Sequence, residues 1–89
     1  MARFEGTTYD FIDYAQPAST ADALYELGVQ YCVGRGCDID LVAAHQWFNL
    51  SAARGNLEAR LRRAELSLEM TKDQIARAQK AAREWLRAH

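Results

Sequence analysis

The sequence predicts an all-α fold of about four main helices. Its apolar residues recur at helical spacing, as at Leu24, Leu27 and Tyr31 and again at Ala44, Trp47, Phe48 and Ser51. Glycines and capping residues fall between the periodic runs, and no run alternates as a strand would. The 89 residues suit one domain, and 49% hydrophobic content with two Trp, four Tyr and three Phe suffices for one compact core. A domain of this size buries only about 60–65% of its unfolded surface, so every large apolar residue matters to its stability.

Residues 1–18 crowd Phe4, Tyr9, Phe11, Ile12 and Tyr14 ahead of Pro17. Thr8 can cap a short helix through Ala15 whose Phe11 and Tyr14 share a face, or the segment can lie extended across the helices. Either way this aromatic segment is expected to dock, on its own chain or on a neighbouring copy.

The first helix of the central hairpin, spanning residues 19–55, is expected to start after Ser19 or Thr20, with Asp22 favoured in its first turn by the helix dipole. It ends near Val33, where Gly34 and Gly36 bracket Arg35 and supply the left-handed conformation that terminates helices. Gly28 lies mid-helix, at a cost of about 1 kcal/mol relative to Ala, and its expected use is to let another helix approach closely. Asp38 or Asp40 caps the second helix, which stops at Arg54-Gly55.

Residues 56–89 supply two further helices. Asn56 caps the third, with Leu57, Leu61, Ala64 and Leu68 as its apolar stripe. Thr71 and Gln74 have the spacing of a capping box, and Ile75, Ala78, Ala82 and Trp85 or Leu86 follow at helical intervals.

The run Leu27-Gly28, Tyr31, Gly34, Gly36, Asp40, Ala44, Trp47-Phe48, Ala52 and Gly55 resembles the Sel-1-like repeat, a relative of the tetratricopeptide repeat with the pattern LGxxYxxGxGVxxDxxxAxxWYxxAAxxG. Cys37, Phe48 and Ser51 depart from it, each keeping an apolar or small residue in place. The tail MTKDQIARAQKAAREWL is similar to the closing helix of many bacterial members. No second LGxxY or GxG follows, so the likeness covers one full repeat plus a degenerate, capping one. It implies an α-solenoid scaffold or adaptor without enzymatic activity, because stacked repeats leave a curved surface that binds other proteins.

One repeat leaves a face short of a neighbour. Tyr25, Val29 and Cys32 form a second stripe on the first helix, flanked by Asp22 and Glu26. In an array that stripe packs on a preceding repeat, so here it is the expected partner-binding face for a protein or peptide. Ordinary half-buried residues are the plainer reading of Tyr25 and Val29, and dipole compensation is the plainer reading of the acids. Self-association into a homodimer through the stripe or the N-terminal segment is the alternative within the same class.

Other chemistries find less support. Residues 1–53 carry two bases against seven acids and residues 54–89 nine bases against five, so the net charge of −1 is polarised. Arg54, Arg60, Arg62, Arg63, Lys80, Arg83 and Arg87 are the residues a nucleic-acid-linked regulator would use. Against that stand a pI near 6.1 and the Glu58–Arg62 and Asp73–Arg77 spacings, which suit helix ion pairs.

Cys32, Cys37, His45 and His89 are the only conceivable metal set, but C-x4-C-x7-H with a terminal fourth ligand is not zinc spacing, and no cofactor is implied. His45 lacks an acid, an oxyanion site and a pocket, so it reads as a solvent-facing or satisfied helix residue. No window approaches the ~20 apolar residues of a membrane span, and MARFEGTTYDF lacks the charge and apolar run of a secretory signal. A cytoplasmic location with reduced cysteines is therefore expected.

Overall fold

The computed structural model describes residues 20–88. The aromatic segment 1–18 and His89, with the expectations attached to them, lie outside these residues. Four helices follow one another: α1 (Ala21–Val33), α2 (Leu41–Ala53), α3 (Leu57–Ser67) and α4 (Lys72–Ala88). No strand occurs among the described residues.

Each helix begins where a side chain can satisfy the orphan amides of its first turn. Thr20 Oγ1 accepts from the Ala23 amide at 3.1 Å, Asp40 Oδ1 from Ala43 at 3.0 Å, and Asn56 Oδ1 from Ala59 at 2.9 Å. The reciprocal box at α4 forms in both directions: the Gln74 amide donates to Thr71 Oγ1 at 3.1 Å and the Thr71 amide to Gln74 Oε1 at 2.9 Å. Gly34 ends α1 at φ 76°, the left-handed conformation that favours glycine.

The architecture is organised by α2, which alone packs extensively against all three other helices. On α1, Gly28 lies between two stripes of larger side chains, and the Phe48 ring of α2 sits over it. A Cβ on Gly28 would come within 2.5 Å of that ring, so the absent side chain is what allows the two helices to close.

Either side of this contact lies a small core. Ala44, Phe48, Ala59 and Leu66 are buried together between α1, α2 and α3. Leu24, Leu50 and Ala82 are buried between α1, α2 and α4, with Trp47 and Trp85 edge-to-face at 5.9 Å beside them. Ser51, fully buried, donates from Oγ to the Ala21 carbonyl at 2.6 Å and ties the C-terminal half of α2 to the start of α1.

One expectation is corrected here. The predicted stripe of α3 points the wrong way: Leu57 is 74% exposed, Leu61 60% and Leu68 88%, with Ala64 exposed between them. The opposite face is the one that docks. Ala59 is small enough to let α3 lie close against Phe48, while Arg63 donates to Asn49 Oδ1 at 2.6 Å and Ser67 reaches His45. These polar anchors and the close fit at Ala59 select that face over the larger leucines.

Of the two readings of His45, solvent-facing or satisfied, the structure takes the second at one ring nitrogen: the residue is buried at 2% exposure with Nε2 bonded to Ser67. His45 Nδ1 is buried without a hydrogen-bond partner among the described residues.

Candidate interaction surface

The five residues singled out on the first helix do not form an open face. Tyr25, Val29 and Cys32 are half-buried and pack on the core of Ala44, Phe48, Ala59 and Leu66. The Tyr25 ring meets Phe48 at 5.5 Å. The core built by α2 and α3 covers part of the stripe, and part of each side chain stays accessible. Asp22 and Glu26 are exposed, and Asp22 accepts from Asn56 Nδ2 at 3.3 Å, linking the starts of α1 and α3.

The Ser67 hydroxyl lies within hydrogen-bond reach of both the Arg63 carbonyl, at 2.9 Å, and His45 Nε2, at 3.0 Å. Burial holds the His45 pKa below its ordinary value of 6.5, and the nearby Arg63 charge lowers it further. No three His, Cys, Asp or Glu side chains among the described residues lie together as a metal would require. Cys37 Sγ is 3.7 Å from the Gln30 carbonyl, and Cys32 belongs to the packed stripe.

Two shallow grooves flank α4. One is lined by Asn49, Leu50 and Ala53 of α2 with Gln79, Ala82, Arg83 and Leu86 of α4. The other runs from Cys37, Asp38 and Ile39 of the α1–α2 loop to Gln74 and Arg77. Neither gathers convergent polar groups around an apolar pocket.

The feature with most to offer a partner is the outer face of α3. Leu57, Leu61, Ala64 and Leu68 lie along one line, diametrically opposite Ala59 and Leu66, so α3 is apolar on two faces and uses only one for its own core. Scattered single leucines on a surface need no explanation, but an aligned row does. The row is bordered on one side by Glu58 and Glu65, both of which pair with Arg62 at 3.1 Å, and on the other by Arg60, which makes no ion pair among the described residues. Helical periodicity detected this stripe; what it could not supply was the side of α3 that the core would take.

No helix among the described residues is long and apolar enough to cross a membrane. No protein-family model, curated protein or solved structure matches the chain.

Proposed function

We propose that this chain is a small, non-enzymatic protein–protein interaction module, a cytoplasmic adaptor or scaffold of the helical-repeat type. The observation that carries this reading is the aligned, exposed row Leu57, Leu61 and Leu68 on a helix whose opposite face already closes the core. A fold of this size gains nothing in stability from leucines held in water, whereas a partner helix gains by covering them. The contact face is thus the outer side of α3 rather than the Tyr25, Val29 and Cys32 stripe of α1. The Sel-1-like reading of residues 21–55 supports the same class, since repeats of that kind act by presenting helix surfaces.

The reading as a nucleic-acid regulator is less favoured, because Arg62 and Arg63 are held by Glu58, Glu65 and Asn49 within the chain. Binding through phosphates would weaken steeply as salt rises from low to moderate concentration.

The test is affinity capture with the native chain and a Leu57→Glu, Leu61→Glu double variant, both shown to be folded by circular dichroism. A protein held by the native chain and lost by the variant supports the module. Equal capture by both sinks the proposed face. Tyr25→Glu and Val29→Glu are unsuitable for this purpose, because they place charge against the core and test folding instead.

A further inference from the structure

The spacing of the exposed row suits a partner helix. Leu57, Leu61, Ala64 and Leu68 fall at intervals of four, three and four residues, the 3.5-residue repeat of a two-stranded coiled-coil seam. In heptad terms Leu57 and Ala64 take position d and Leu61 and Leu68 position a. The inward residues Ala59 and Leu66 then both fall at f, the position farthest from a coiled-coil partner, so core and seam do not compete for the same side chains.

The charges at the seam's edges carry the second step. Position e is Glu58 and Glu65, and position g is Arg60. In a parallel pair each g residue faces the e residue of the following heptad on the other strand, which sets Arg60 against Glu65 of a second copy, twice by symmetry. In an antiparallel pair e faces e, and the glutamates of the two copies are brought together. Sequence and exposure therefore agree on one arrangement.

Building on the interaction face proposed above, we infer that the occupant of the α3 row is a second copy of this chain, paired in parallel through Leu57, Leu61, Ala64 and Leu68 with Arg60–Glu65 ion pairs across the seam. Four seam residues per copy bury less than the ~1,200 Å² at the low end of stable interfaces, so the dimer is in exchange with monomer and its population rises with concentration.

The experiment is sedimentation of the full-length chain over a wide concentration range, for the native protein and for Leu61→Glu, Arg60→Glu, Glu65→Arg and the double swap Arg60→Glu, Glu65→Arg. Circular dichroism checks that each is folded, and binding of an apolar fluorescent dye is followed alongside. The expected result is a concentration-dependent dimer, abolished by Leu61→Glu, weakened tenfold or more by either single reversal and restored by the swap. A dimer that survives Leu61→Glu, or one the swap does not restore, overturns the assignment. A native chain that stays monomeric also overturns it, and the dye then separates two cases. Dye bound by the native monomer and lost in Leu61→Glu leaves the row as a face for a different partner or for residues 1–19 of the same chain. Dye bound by neither removes the interaction face as well.

Discussion

Two residues carry more of the structure than their size suggests. Gly28 was expected to admit a close helix, and Phe48 is the side chain that fills the space: its ring atoms lie 2.5 Å from where a Cβ would stand. In an ordinary helix Gly→Ala gains about 1 kcal/mol, but forcing a methyl into a packed site costs about 1–3 kcal/mol. Phe48 is 1% exposed and has nowhere to swing, so the second effect wins. Gly28→Ala is expected to lower unfolding stability by about 1–2 kcal/mol in urea titration, where an exposed helical glycine would show a gain. His45 gives a pH signature of known sign. Its folded pKa is depressed by burial and by Arg63, so between that value and 6.5 the unfolded chain binds more protons than the folded one. The contribution of His45 is complete above pH 6.5, declines as pH falls through that value, and levels off below the folded pKa. Comparing chemical denaturation at pH 7.5 and pH 5.5 should show a drop in the native chain that His45→Gln, which does not titrate, reduces.

At the level of helices, boundaries were the most legible part of the sequence, because caps are local. Thr20, Asp40, Asn56 and the Thr71–Gln74 pair each satisfy amides within three residues of themselves, so their roles need no knowledge of the rest of the fold. Facing was less legible, and α3 shows why. Periodicity finds an apolar stripe but cannot rank two of them, and the stripe with more leucine surface lost to one with a small residue, an anchor to His45 and an anchor to Asn49. Those anchors come from α2, 14 and 22 residues away in sequence, where no local rule reaches. The same non-local effect bears on the α1 stripe, since Tyr25 meets Phe48 of α2 and both Tyr25 and Val29 pack on the core that α2 and α3 build. Paired substitutions measure the facing directly. Leu61→Ser is expected to change the stability of dilute protein by no more than about 0.5 kcal/mol, as on any open surface, whereas Leu66→Ala should cost about 2–4 kcal/mol by opening the core. Equal losses would mean that α3 is turned the other way.

Among the described residues, the two small cores are joined chiefly through the α1–α2 hairpin, and this divides the stability between them. α3 is fastened by Ala59, Leu66 and two polar anchors, while α4 is fastened by Ala78, Ala82 and Trp85, with no comparable contact to α3. Trp85 is the one large side chain α4 contributes to that core: its ring stands at 82° to Trp47 and lies 5.7 Å from the Arg54 guanidinium. Alanines at positions 78 and 82 let α4 approach α2 closely, but each buries little area. Removing the Trp85 ring should therefore cost about 2–3 kcal/mol, less than a fully buried Trp because one side is open to water. The distribution of that loss is the sharper prediction. In hydrogen exchange, Trp85→Ala should speed the amides of α4 far more than those of α1 and α2, because Gly28–Phe48 and Ser51–Ala21 hold the hairpin without it. If instead all four helices exchange together at a common faster rate, the two cores form one cooperative unit and the hairpin does not stand apart from its caps.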